Sequence, residues 1–168
     1  MERKTKIIAD DGRQDLVITR EFDLPLDLLF KAYEDPEVIE EVMSNEYAKA
    51  KVLKQESKRH GSWQIESTDP KGNKVFGASG VIHEFSPNKK IIRTFEMDNT
   101  PFGVQLEIYA FESLTGETSL LTMHVIYESG AQRDQVLKLP FAQGINMAHN
   151  RLQEIGNKLK TTYHVNEK

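Results

Sequence analysis

The segment that most constrains this chain is its last long stretch, Asp134 to Thr162. Apolar residues recur there at Leu137, Phe141, Ile145, Ala148, Leu152, Ile155 and Leu159, at intervals of three or four. That is the one-face spacing of an amphipathic helix. Gln143, Asn146, Asn150, Arg151, Gln153, Glu154 and Lys158 fall between them, mostly on the other side. A helix over the whole span would be about 40 Å long at about 1.5 Å per residue. An apolar stripe of that length needs a wide partner surface. Pro140 interrupts the pattern. Either the helix begins near Leu139 with Pro140 in its first turn, or it runs from about Asp134 and bends at the proline. The bend is the reading adopted. Gly144 and Gly156 are weak helix formers, and close approach to a sheet or a ligand would explain both.

The partner surface lies earlier in the chain. Residues 1–13 are polar and charged, with a turn at Asp10-Asp11-Gly12, and read as a loose arm or a short first strand. Asp15 to Phe22 alternates, with Leu16, Ile18 and Arg20 opposite Val17, Thr19 and Glu21, as a strand does. Two short helices follow. Leu26 to Tyr33 has Asp23 as its expected cap and Pro25 in its first turn. Pro36 to Met43 is capped by Asp35. Six strands come next, over 47–56, 61–67, 74–85, 90–97, 102–111 and 117–127, separated by turn signals such as Asp69-Pro70-Lys71-Gly72-Asn73. Hairpin-length turns make these an antiparallel meander. Gly77 and Gly80, inside a strand, indicate bends or close backbone approach. The expected architecture is α+β: a curved antiparallel sheet of about six or seven strands wrapped on a long C-terminal helix. No repeat, linker or composition shift divides the chain, so residues 1–168 are read as one domain.

Composition excludes several function classes. The chain has no cysteine, which removes disulfides, thiolate nucleophiles and cysteine-held zinc. A formal net charge of -4 gives no general attraction to nucleic acid or to anionic membrane. The basic cluster Lys49, Lys51, Lys54, Lys58 and Arg59 reads as a solvated strand face. No stretch approaches the roughly 20 apolar residues of a membrane span, and no signal-peptide core appears, so the expected location is cytoplasmic. The five histidines, His60, His83, His124, His149 and His164, form no zinc-binding pattern. No nucleotide-binding glycine motif and no nucleophile elbow is present, so no metal and no cofactor is expected. Arg93 and Glu96 read as solvated strand charges rather than a buried pair.

The order of elements, together with particular motifs, carries a resemblance. Ile18-Thr19-Arg20-Glu21-Phe22-Asp23-Leu24-Pro25 and Phe30-Lys31-Ala32-Tyr33-Glu34-Asp35-Pro36-Glu37 look like an opening strand, a helix entry and an Asp-Pro-Glu corner. Gly61-Ser62-Trp63, Gly80 to Pro87, Ile91 to Glu96 and the terminal helix from Gly144-Ile145 complete the set. The chain resembles the START-like (SRPBCC, helix-grip) superfamily. Within it, the chain resembles the bacterial family similar to the C-terminal domain of the activator of the ninety-kilodalton heat-shock protein's ATPase. It departs from that pattern at Glu40-Glu41-Val42-Met43, where the family usually has tryptophan, and at Pro140-Phe141, where Gly-Met is usual.

The resemblance implies a cavity between sheet and helix. Trp63, Phe76, Phe95, Tyr109, Met123, Tyr127, Phe141 and Ile145 are the candidate ligand-binding residues, an apolar set with a few polar groups. A solid core would have the same make-up. The first functional expectation is non-enzymatic binding of a small apolar or amphipathic ligand. The second is a protein-interaction module of co-chaperone type. The third is a cyclase- or hydrolase-like enzyme using His124 and Tyr109, with His124 facing the cavity.

Overall fold

The computed structural model describes residues 3–166, with side chains through residue 162. Eight strands form one antiparallel sheet in the order β1-β2-β8-β7-β6-β5-β4-β3. They are β1 (Lys6–Ile8), β2 (Asp15–Phe22), β3 (Lys49–Gln55), β4 (Ser62–Thr68), β5 (Lys74–Ser86), β6 (Lys90–Met97), β7 (Gln105–Ser113) and β8 (Ser119–Ile126). The helices are α1 (Leu26–Glu34), α2 (Pro36–Met43), α3 (Gly130–Leu137) and α4 (Phe141–Asn166). The meander from β3 to β8 and the long terminal helix match the helix-grip architecture, with one strand more than expected. The extra strand is β1, which pairs Ile7 with Ile18 and makes part of residues 1–13 a short first strand at the sheet edge rather than a loose arm.

The path of the chain follows from two corners. β2 lies beside β8, with Ile18 opposite Met123, while β3 forms the far edge. The helices α1 and α2 therefore carry the chain from one side of the sheet to the other. Asp35 makes the corner between them by accepting a hydrogen bond from the Glu37 N–H at 3.0 Å, with Pro36 in the first turn. Asp23 does not cap α1. The N-cap position is Pro25, without a side-chain bond, and the Asp23 carboxylate instead accepts from Arg3. The far edge is guarded by exposed Lys49, Lys51 and Lys54 on β3, which keep an open strand from pairing with another chain.

Register shifts in β3, β4 and β5 bend that half of the sheet. Gly80 is needed there. It sits opposite Trp63, and a Cβ on it would collide with the Thr94 carbonyl and lie 2.7 Å from Trp63 Nε1. The indole N–H crosses this gap to donate to the Thr94 carbonyl at 3.2 Å.

The terminal helical pattern is broken rather than bent. α3 ends at Leu137 and α4 starts at Phe141, directly after Pro140, whose carbonyl accepts from the Gly144 N–H. Proline has no N–H to continue α3, so a new helix begins at once. Gly156 is a close approach as expected, packed against Leu24, whereas Gly144 has nothing within 4 Å of its Cβ position. The main core lies where α1 and α4 cover β2, β8 and β7, with Phe22, Leu24, Leu29 and Leu121 fully buried. A smaller cluster of Ala50, Trp63, Ile65, Ala78 and Ile82 lies under the other half.

Candidate functional site

Between the two clusters a cavity of about 520 Å³ remains. Its wall is the inner face of β4 to β8, and it is roofed by α2, the α3–α4 junction and the first turns of α4. All eight residues named from the sequence line it: Trp63, Phe76, Phe95, Tyr109, Met123, Tyr127, Phe141 and Ile145. Strand alternation delivers Trp63, Phe76, Phe95, Tyr109 and Met123, since every second residue of a strand faces the same side, while Phe141 and Ile145 come from the first turns of α4. The volume falls within the roughly 300–1,000 Å³ typical of small-molecule sites. Val42, Met43 and Pro140 also line it, so both departures from the family pattern fall on the cavity wall. Met43 and Leu139 are exposed as well and mark its mouth.

The apolar wall contains one charged pair. Arg93 on β6 stands directly opposite Glu107 on β7. Arg93 Nε donates to Glu107 Oε1 at 2.9 Å, and Arg93 Nη2 donates to the Tyr109 hydroxyl at 2.9 Å. Tyr109 in turn donates to Glu107 Oε1, and Gln105 Nε2 donates to Glu107 Oε2 at 3.0 Å. Trp63 lies over the guanidinium, 4.1 Å from its ring centre. A charge held between a carboxylate, a phenol and an indole face is compensated on three sides, which is what makes its burial tolerable. Burial, opposed by Arg93 and reinforced by Glu107, pushes the Tyr33 and Tyr109 phenols up. Burial and Glu107 do the same at Tyr127. All three phenols therefore stay protonated at neutral pH.

A second polar group lies where α4 meets the N-terminal arm. His149, 4% exposed, shares a 2.7 Å hydrogen bond with the Thr5 hydroxyl and meets the Phe22 ring edge-on. Burial, with Arg20 close by, pulls its pKa down to about 4, so the ring is neutral. Arg20, on the inner face of β2, donates to Asn150 Oδ1 at 2.9 Å.

A family model described as "Activator of Hsp90 ATPase homolog 1-like protein" matches residues 23–157, from the entry to α1 deep into α4. The chain belongs to that family. Among solved structures, protein Ms6760 from Mycobacterium smegmatis is 23% identical, with a TM-score of 0.80 over 90% of this chain and 96% of its own. A Rhodobacter sphaeroides protein is 20% identical with a TM-score of 0.82, covering 90% of this chain and 97% of its own. An Arthrobacter aurescens protein is 16% identical with a TM-score of 0.81, covering 91% of each chain. At these identities the likeness shows a shared fold. No functionally curated protein matches.

The catalytic pairing considered for this family member is not formed. His124 lies on the outer face of β8, where its Nε2 is 2.7 Å from Asp15 Oδ2 on β2, while Tyr109 faces the cavity. The hydrogen bond from Arg13, joined by that from His124, holds the Asp15 carboxyl well below the usual range. Glu96 is an exposed strand charge, as expected, but Arg93 is not: it pairs with Glu107 across the strands. Residue periodicity on β7 puts Glu107 on the same face as Tyr109, and that parity was the available signal. Among the described residues no group of three or more His, Cys, Asp or Glu is placed to hold a metal, and no helix is long and apolar enough to cross a membrane. His164 lies outside the described side chains.

Proposed function

We propose that the chain is a non-enzymatic binding domain, acting in the cytoplasm as one unit, that takes up a small apolar or amphipathic molecule between its sheet and α4. The observation that supports this most directly is the cavity of about 520 Å³ in an otherwise close-packed protein. Interiors are normally packed like organic crystals, with few voids larger than a water molecule. A space this size, walled by aromatic and aliphatic side chains around a few polar groups, has the make-up of a ligand site. The enzyme reading loses its named pair, because His124 turns away from that space towards Asp15.

Native mass spectrometry of the protein as purified, repeated after denaturing extraction and refolding, tests the reading. The expected result is a bound small molecule that disappears on extraction and rebinds when the extract is returned. Ala148→Phe, which adds a ring to the wall on α4, should abolish rebinding while circular dichroism stays unchanged. Rebinding undiminished in that variant would overturn the assignment of the site.

The family description supports a second reading, a module that docks on a protein partner such as a chaperone ATPase. Its test is direct: stimulation of a chaperone ATPase by the purified chain, with Met43→Glu and Leu139→Glu at the exposed mouth weakening the effect.

A further inference from the structure

The cavity holds hydrogen-bonding capacity that the protein does not use itself. Glu107 is engaged through both oxygens: Oε1 takes Arg93 and Tyr109, and Oε2 takes Gln105. The donors around it are not saturated. Arg93 Nη1 makes no hydrogen bond to any described residue, although Nε and Nη2 are both engaged. The Tyr33 hydroxyl has no partner among the described residues either. The Tyr127 hydroxyl is fully buried and unpartnered, on a residue only 4% exposed. Arg93 keeps 22% of its side chain accessible although protein surrounds it, and all three residues line the cavity. Buried polar groups are ordinarily paired, because each one left unmade carries its full desolvation penalty. Tyr33 and Arg93 lie against the same Tyr109 ring, 5.4 Å and 5.1 Å from its centre, which brings both side chains to one end of the cavity.

Charge selects the complement. Among the described residues of the lining, Arg93 and Glu107 alone carry charge, because burial keeps His149 neutral. The two cancel. An anion entering this space would be desolvated beside an arginine whose charge is already spent on Glu107. A cation would meet a carboxylate with both oxygens occupied. Burial of an ion without its own counter-ion is the most costly event such a site can undergo. An uncharged oxygen meets no such barrier and accepts from donors that otherwise go without.

We infer that the cavity is selective for a neutral amphipathic molecule, an apolar body ending in an uncharged oxygen such as a hydroxyl or carbonyl, with that oxygen held by Arg93 Nη1 and the Tyr33 hydroxyl. The inference rests on the ligand-binding reading above and adds the chemistry of the head group.

Trp63, the single tryptophan of the chain, stacks on Arg93 and reports on this end of the cavity by its own fluorescence. Titration at neutral pH with octane, octanol, octanoate and octylammonium separates the head groups at constant chain. Octanol should bind at least about tenfold tighter than octanoate or octylammonium, a difference of about 1.4 kcal/mol. It should also exceed octane. In the Tyr33→Phe variant the preference for octanol over octane should fall by about fivefold to tenfold. This substitution keeps the ring, and the wild-type series stands without it. Octanoate binding as tightly as octanol, or an octanol preference untouched in the variant, would overturn the inference while leaving the cavity reading in place. Failure of all four probes to bind would remove both.

Discussion

The two halves of the sheet carry the same alternation and are filled in opposite ways. Under β2 and β8, Ile18, Phe22 and Leu121 are at most 1% exposed, closed in by α1 and α4. Under β4 to β6, Phe76 and Phe95 point to the same side of the sheet yet remain only half-buried, beside open space. The difference lies in the facing layer. α1 drives Phe30 into β5 and β7, with its ring 5.5 Å from that of Phe85 and 4.9 Å from that of Phe111. No comparable side chain descends over Trp63 and Phe95, because α2 stays near the β3 edge and the α3–α4 break falls above them. Alternation decides which residues face inward. It does not decide whether anything meets them.

The contrast can be broken most sharply by truncation. Phe22→Ala should cost about 3–5 kcal/mol in urea unfolding, as a cavity opens in a full core. Phe95→Ala should cost about 1–2 kcal/mol, because the space beside it already exists. Equal losses would mean that the two halves are packed alike. Next in size is the charge pair that only the open half contains. Arg93→Met leaves Glu107 buried with Tyr109 and Gln105 alone, at a cost of about 3 kcal/mol. Combining it with Glu107→Leu should recover most of that loss, measured by the same unfolding curves.

That pair also marks the limit of what the residues alone disclose. The Asp35-Pro36 corner, the six-strand meander and the eight aromatic and aliphatic wall residues are local patterns, and local patterns are legible. Parity on β7 places Glu107 on the Tyr109 face, but its pairing with Arg93 is set by the register of β6 on β7, which depends on how the loop from Asp98 to Val104 closes and which the residue pattern does not fix. For β1, three residues flanked by charge give no alternation to count, so the residues left a short strand and a loose arm as alternatives. His124 is a different kind of miss. Once Met123 is assigned to the inner face, its neighbour must point outward, so the pattern already excluded a cavity histidine.

Acid should separate the halves as well. His149, with its pKa drawn down from 6.5 to about 4, is neutral in the folded protein. Above about pH 6.5 both states are neutral and nothing is lost; as pH falls, the unfolded chain takes up the proton first and stability declines until the folded pKa is passed. Between about pH 7 and pH 5 this should remove about 2 kcal/mol, and His149→Gln should flatten that part of the stability profile. An unchanged slope in the variant would assign the acid sensitivity to other groups. The smallest effect expected is a gain. Tyr127→Phe deletes a buried hydroxyl without a partner and should raise stability by about 1 kcal/mol, seen as a higher urea midpoint. A loss instead would mean that the hydroxyl is engaged within the free protein.

The short arm at the front of the chain reaches further than its three strand residues suggest. Thr5 is fastened to α4 twice, through its N–H to Asn146 and its hydroxyl to His149. From the other helix, Arg133 donates to the carbonyls of Asp10 and Asp15. Both helices on either side of Pro140 are thus buckled to the same few residues. Trimming the first dozen positions, or fusing a tag that pulls on them, is an operation on the roof of the cavity, carried out from the opposite end of the polypeptide.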